Sequence, residues 1–561
     1  MPKIEISYKD LCSLVGTQIK KEELADVLLY AKAELDEVEG DKLKLDCKDT
    51  NRPDLWCTEG AAREIRARFG KRTISYKINS GKEKIIVDNK SPIQTFAVNM
   101  IVRNVKLNEN SLSQMIQLQE KLATVLGNNR KDMSIGVYDM SKVKFPVKYT
   151  SLPAEKIKFV PLGFAKEMSA EEILSEHPKG KEFGHFLKET DVYPVWVDAD
   201  NKILSMVPVI NSNEAGNVSV TAKDLFIEAT GSNIELLKTA LNVIAAQVLE
   251  RGAKVESVVT ISGKNKLTTP EIIPKKIKAD INYLRGISGM NLSDKEIIKL
   301  LENSNYEVKQ SKNSLLLTYP GYRNDIMHAR DVAEDILITY GYNTIEPVQV
   351  KIPAVGRKDE LNTFCDKIAD IMVGCGLQEI LLYSLTNKNN LFGKMNMPEH
   401  QVAEIDNPTS ENWSVFRTSL LPGLLEFFVS NKHVEYPQNI FEIGKCVFLS
   451  GGEFKSIDKK HLAVATSGPT ASYDAIAPLL DALMRSLGLK YVLKKSSHAS
   501  FIEGRCADII CEQTDAKGVV QKSKKLGAIG EIHPLVLNNW NIEKPVAAFE
   551  LDVTELFYLL D

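Results

Sequence analysis

No C-x-x-C pair occurs in this 561-residue sequence, although it carries eight cysteines: Cys12, Cys47, Cys57, Cys365, Cys375, Cys446, Cys506 and Cys511. Without paired ligand spacing neither a zinc site nor a disulfide framework is indicated, and most of these residues sit in apolar or helical patterns that suit reduced core thiols. No run of about 18 uncharged apolar residues occurs, so no conventional membrane-spanning helix is expected. The start, MPKIEISYKDL, lacks both an apolar signal core and an Arg-rich presequence, and a cytoplasmic protein without a membrane partner is expected. An excess of one charge is missing too: 71 Lys and Arg oppose 74 Asp and Glu, for a net charge of -3. No whole-chain positive field therefore holds nucleic acid, and any RNA contact has to be local or shared with another chain. No period of roughly 20 to 50 residues repeats, which excludes a solenoid.

What is present is ordinary for globular protein, with 43% hydrophobic and 26% charged residues. At ~150 residues per domain the length suggests roughly three to four domains, and several sites can coexist. The pattern predicts a multidomain α+β chain. Residues 1–78 read as a small mixed domain with a helix over KEELADVLLYAKAEL and another after Trp56, joined through DTNRPDLWCTEG, where Arg52 precedes Pro53 and is held extended. Residues 85–265 read as a larger α+β domain with strands such as TFAVNMIVRNV and DLFIEAT; VVTISGKNKLTTPEIIPKK reads as a strand leading into a linker. Residues 268–347 form a helix-rich unit, with Asp294 and Glu296 favourably placed in the first turn of a helix after Ser293. Residues 350–561 change to helix and antiparallel strand pairs, such as NIFEIGKCVFLS with HLAVATSG.

The sharpest constellation is YPGYRNDIMHARDVAEDILITYGY. At about 100° per residue, Asp331, Glu334 and Asp335 share one arc of a helix, with Val332, Ala333, Ile336, Leu337 and Tyr340 opposite. Asp325 adds a fourth oxygen donor from the preceding turn. Such crowding of anions is costly without a compensating cation, and all-oxygen ligation suits a hard ion such as Mg²⁺. The alternative is an acidic solvated face paired with Arg323 and Arg330, and spacing does not decide between them.

This segment resembles the metal-bearing helix of phenylalanyl-tRNA synthetase β subunits of the archaeal and eukaryotic type, and the similarity runs through the whole chain, including DTNRPDLWCTEGAAREI. The resemblance implies that Asp325, Asp331, Glu334 and Asp335 bind magnesium at the contact with an α subunit. It also implies that ILSMVPVINSNEAGNVSVTAKDLFIEATGSN and FVPLGFAKEMSAEEILSEHPKGKEFGH belong to a proofreading domain that hydrolyses tyrosine wrongly attached to phenylalanine tRNA. The chemical need is general: a pocket shaped for Phe rejects an added hydroxyl only weakly, so accuracy requires a second site that reads the hydroxyl.

Such a site needs an acceptor for the phenol, polar walls for the ester and a positioned water. Glu228 and Thr230 project to the same face of DLFIEAT by the two-residue period, offering an acceptor and a hydroxyl. Ser205 and Asn211 flank the Pro208 turn as the opposite wall. The alternative is that Glu228 is an exposed strand acid and Asn211 a turn former. Two departures from the family pattern stand out: Val207 and Pro208 where Pro-Pro is common, and Asn233 where an Asp is common. His177 and His185, in HPKGKEFGH, read with Lys179 and Lys181 as a basic loop touching RNA phosphate rather than as general bases.

The third signal, NPTSENWSVFRTSLLPGLLEFF followed by IFEIGKCVFL, resembles a class II synthetase fold, with Arg417 and Glu442 where active members bind ATP and amino acid. Yet residues 445–561 contain no G-x-G-x-x-R run, and nothing cradles triphosphate through glycine-rich backbone or a P-loop lysine. A catalytic-like scaffold without a synthetic active site is expected. By resemblance the complete enzyme is an α2β2 heterotetramer that consumes ATP, phenylalanine and tRNA(Phe), with amino-acid activation on the α chain. The competing expectations are an RNA-binding scaffold with an inactive editing pocket and a free-standing hydrolase of mischarged tRNA.

Overall fold

The computed structural model describes residues 2–352, 354–514 and 520–560, and the chain divides into two compact units, Met1–Val348 and Gln349–Asp561. In the first unit a small antiparallel sheet orders the strands Lys3–Ser7, Lys42–Cys47 and Ala33–Glu39. Its alternation buries Ile4, Ile6, Leu43, Leu45 and Cys47 beneath the helices Tyr8–Val15 and Thr58–Arg68. The expected long helix over KEELADVLLYAKAEL is shorter than its pattern suggested. Helix ends at Leu29, Lys32 turns the chain at φ 53°, and Ala33–Glu39 becomes a strand because its backbone groups pair with Lys42–Cys47.

A ten-stranded sheet carries the centre of this unit. Its strand Leu225–Gly231 is buried along its whole length between Phe96–Arg103 and Met133–Asp139. The helix Ile234–Glu250 covers one face with Leu237, Ala240, Leu241 and Ile244. Asn233 begins that helix: its side-chain oxygen accepts from the backbone N–H groups of Glu235 at 3.0 Å and Leu236 at 3.3 Å. Asn and Asp are comparable N-caps, so the departure at Asn233 preserves the cap. The expected linker after residue 262 is instead a hairpin. Lys254–Ser262 turns at Gly263, with φ 58°, and pairs with Asn265–Thr269.

The third sheet of the unit orders Lys275–Asp280, Ser314–Tyr319 and Glu307–Ser311. It packs with the helices Ile281–Ser288, Asp294–Glu302 and Ala329–Tyr340 around Leu284, Ile297, Leu301, Leu315, Leu317, Val332 and Ile336. Ser293 and Glu296 close a reciprocal capping box on the second of these helices.

The second unit is built on a seven-stranded sheet. Five long strands, Gln438–Leu449, Ser456–Ser467, Val546–Asp552, Val520–Ile532 and Phe501–Thr514, run antiparallel in that spatial order. The helices Glu360–Gly374, Tyr473–Ser486 and Val553–Leu560 bury Ile368, Leu480 and Leu556 on one face. Leu421–Ser430, the expected LLPGLLEFF core, buries Leu421, Leu424, Leu425 and Phe428 on the other. All eight cysteines are free, and seven are buried. Among the described residues, no helix is long and apolar enough to cross a membrane.

Candidate functional site

Three strands of the large sheet bring the Glu228 site together. Ser205 and Asn211 are direct cross-strand partners on the antiparallel strands Ile203–Met206 and Ile210–Asn211, with Val207, Pro208 and Val209 between them. Glu228 sits opposite Gly136 on the neighbouring strand pair. Ser205, Asn211 and Glu228 line a cavity of about 150 Å³ together with Ser134, Arg130, Lys179, Val207 and Pro208. Glu228 is 2% exposed, not the exposed strand acid that was its alternative reading. Its Oε1 lies 3.3 Å from the Tyr138 hydroxyl, and its Oε2 is buried with no hydrogen-bond partner. Burial pushes its carboxyl up to about 8, with Tyr138 and the Trp196 indole pulling the other way. The buried Trp196 Nε1–H acts on this carboxyl without reaching hydrogen-bond geometry, so neither it nor Oε2 is fully satisfied.

Thr230 shares the strand face with Glu228 but stands behind the cavity. It is fully buried, its hydroxyl donates to Gln94 Oε1 at 2.9 Å, and it lies 3.0 Å from Ser134 Oγ. Both contacts of the Thr230 hydroxyl run to protein, and Ser134, which also donates to Gln94 Oε1 at 2.7 Å, stands between Thr230 and the cavity it lines. The HPKGKEFGH segment is helical rather than a loop. His177 caps the helix Pro178–Phe183, its Nδ1 accepting from the Lys179 N–H at 3.1 Å, and its Nε2 lies 3.1 Å from the Leu162 carbonyl. Sequence reasoning missed Tyr138, Gln94 and Arg130. Arg130 donates to the carbonyls of Pro208 and Val209, each at 3.2 Å, and holds the turn between the two walls. Nothing in YDMSK or SPIQT signals chemistry in one dimension; strand register places Tyr138, and the turns at Gln94 and Arg130 reach the site only through the fold.

The acidic helix is divided by its arginine. Arg323 is 1% exposed and donates through Nε to Asp325 at 2.7 Å, through Nη2 to the second oxygen of Asp325, and through Nη2 to Asp335 at 3.0 Å. Asp335 also accepts from the Tyr306 hydroxyl at 2.7 Å, and Arg52 Nε approaches Asp325 to 3.7 Å. Burial works to raise the Asp325 carboxyl, but Arg323 and Arg52 outweigh it and hold it well below the usual range. Asp331 instead caps its own helix, one oxygen accepting from the N–H groups of Met327 at 2.7 Å and His328 at 2.6 Å. Glu334 is exposed on the same helix and pairs with Lys32 at 3.3 Å. The four carboxylates expected as metal ligands therefore stand in two different environments. Two acids are neutralised internally, and Asp331 and Glu334 face outward. Arg330 pairs with none of them among the described residues; it reaches Tyr283 at 3.4 Å.

Comparison with known proteins decides the lineage. The Pyrococcus horikoshii phenylalanine–tRNA ligase β subunit is 45% identical over 99% of this chain and 100% of its own length. The chain belongs to the phenylalanine–tRNA ligase β-subunit family. The Methanocella arvoryzae β subunit of the same family is 33% identical over 99% of this chain and 100% of its own. The tRNA synthetase B5 domain model matches residues 277–342, and the phenylalanyl tRNA synthetase β chain CLM domain model matches residues 345–553. A crystal structure of an N-terminal fragment of the phenylalanyl-tRNA synthetase β subunit from Pyrococcus horikoshii superposes with a TM-score of 0.59 at 43% identity, covering 60% of this chain and 99% of that one.

In the segment of the family's CLM domain, Arg417 and Glu442 form a buried pair at 2.7 Å. Burial raises the Glu442 carboxyl above its ordinary value while Arg417 opposes that rise. Arg505, at the surface of the same segment, pairs with Glu531 at 2.7 Å. A separate cavity of about 300 Å³ is lined by His461, Glu550, Lys525 and Phe392, among others. Cys446, His461 and Glu550 bring ligand atoms within 4.8 Å of one another, the one such group among the described residues. Glu550 is already engaged: it accepts from Ser419 Oγ at 2.6 Å and the Leu420 N–H at 3.1 Å, and it lies 2.7 Å from His461 Nδ1. Those contacts anchor the start of the helix Leu421–Ser430.

Proposed function

We propose that this chain is the β subunit of a phenylalanine–tRNA ligase. It works with an α subunit in an α2β2 assembly that consumes ATP, phenylalanine and tRNA(Phe), and its own chemistry is hydrolysis of tyrosine from mischarged tRNA(Phe) at the Glu228 cavity. The observation that carries the editing reading is the unpartnered Oε2 of Glu228, buried at a cavity of about 150 Å³. A cavity of roughly that size holds a benzene ring, so a para-hydroxyphenyl group fits. A buried polar atom without a partner is costly unless a ligand satisfies it. The phenol meets Glu228, while Ser205, Asn211 and Ser134 face the ester and its attacking water. Lys179, at the wall, faces the backbone of the tRNA 3′ end. The open cavity favours editing over an inactive scaffold. The test is Tyr-tRNA(Phe) hydrolysis by the α–β complex, wild type against Glu228→Ala. A loss of at least ~30-fold, equivalent to about 2 kcal/mol of transition-state binding, is expected. Equal rates would remove Glu228 from the mechanism.

The acids of the helix Ala329–Tyr340 fit a hard cation in part. Asp331 and Glu334 carry no internal arginine partner, and each has one oxygen outside the contacts just described, whereas Asp325 and Asp335 are held by Arg323. Magnesium, when bound, would supply positive charge at the α contact, with Asp331 and Glu334 as its ligands on this side and Asp325 and Asp335 as the layer beneath. Calorimetric Mg²⁺ titration of the complex is expected to weaken in Asp331→Asn with Glu334→Gln. Unchanged binding would place the ion elsewhere. A cytoplasmic setting fits an enzyme of tRNA charging.

A further inference from the structure

The three polar side chains that would read the substrate are controlled from behind by one atom. The Tyr138 hydroxyl lies 2.9 Å from Ser205 Oγ, 3.3 Å from Glu228 Oε1 and 3.4 Å from Asn211 Oδ1. All three partners line the cavity, and Tyr138 itself does not. Its ring is fully buried and is fixed by stacking on Phe226 at 5.7 Å. Gly136, directly opposite Glu228, leaves the room: a Cβ there would lie 2.4 Å from Glu228 Oε1 and 2.6 Å from the Tyr138 hydroxyl. The strand geometry has thus cleared a space for this contact. The other carboxyl oxygen, Oε2, is buried with no hydrogen-bond partner.

We propose that Tyr138 is a positioning residue for hydroxyl recognition: its hydroxyl, in contact with Glu228 Oε1, Ser205 Oγ and Asn211 Oδ1, fixes the Glu228 carboxyl at the cavity wall where the phenol of the substrate meets it. This inference rests on the editing reading of the Glu228 cavity. A phenol hydroxyl both donates and accepts, and so does Tyr138. A carboxyl tethered by one oxygen presents the other at a fixed angle, whereas an untethered one relaxes into the space and loses the distinction between para and meta hydroxyls. Removing the tether frees the carboxyl that meets the phenol, whereas Ser205 and Asn211 keep the cross-strand pairing that places them, so recognition should weaken more than chemistry.

The experiment compares wild type, Tyr138→Phe and Glu228→Ala in the α–β complex, measuring deacylation of para-tyrosyl- and meta-tyrosyl-tRNA(Phe) alongside phenylalanine charging as a check on assembly. Tyr138→Phe is expected to raise KM for para-tyrosyl-tRNA about tenfold, keep kcat within about twofold and abolish the preference for para over meta. Gly136→Ala, which crowds the same contact from the opposite side, should give the same split and serves if Tyr138→Phe does not assemble. Impaired Glu228→Ala with wild-type KM and wild-type para preference in both Tyr138→Phe and Gly136→Ala would overturn the positioning role. So would a fall in kcat at unchanged KM, which marks a merely structural residue. Wild-type rates in Glu228→Ala would instead sink the editing reading itself.

Discussion

Glu228 and Arg323 show how differently two buried charges are accommodated. Glu228 has a Tyr hydroxyl and no cation, so burial favours its neutral form, with the carboxyl near 8 against an ordinary 4.5. Between those values the folded chain binds more protons there than the unfolded chain, so stability falls as pH rises from about 4.5 to about 8. Glu228→Gln removes that slope. Its melting temperature, compared with wild type, should gain little at the acid end and most above pH 8, reflecting a few kcal/mol at about 1.4 kcal/mol per pKa unit; a constant difference across pH would contradict the assignment. Arg323, by contrast, neutralises two carboxylates, and Arg323→Met strands both. A loss of about 3–5 kcal/mol is expected in denaturant unfolding of the chain. If additional Asp325→Asn and Asp335→Asn substitutions restore nothing, the pairing is not what holds this site.

At the scale of elements, caps and register decide what the side chains do. The Ser293–Glu296 capping box should make Ser293→Ala cost about 1 kcal/mol, read from urea unfolding, and a change below about 0.3 kcal/mol would show the helix to be set by packing alone. The helix start after Ser293, the strand DLFIEAT and the turn at Pro208 were legible in the sequence because each rests on local chemistry: acids in a first helical turn, a two-residue alternation, a proline turn. The reciprocal cap between Ser293 and Glu296 came from the structure. Tyr138, Gln94 and Arg130 were not legible, since each acts on residues that lie far away in the chain. The acidic helix was legible as an arc of carboxylates, but helical angle alone says nothing of burial depth. Arg323 lies two residues before Asp325, and only the fold turns it inward to meet Asp335 as well. The strand at Ala33 was misread for a related reason: its residues tolerate helix, and pairing with Lys42–Cys47 overrides that tolerance.

For the whole molecule, the two units carry separate chemistry. The first holds the Glu228 cavity and an acid-bearing helix. The second keeps the antiparallel sheet and the Arg417–Glu442 pair, while residues 445–561 lack any glycine-rich run with its arginine for triphosphate. An assembled enzyme divided in this way makes amino-acid activation the property of the other subunit. The most direct measurement is phenylalanine-dependent exchange of pyrophosphate into ATP, run on this chain alone, on its α partner alone and on the two together. The account predicts no exchange by this chain alone and full exchange by the assembled complex; exchange by this chain in the absence of the α subunit would contradict it.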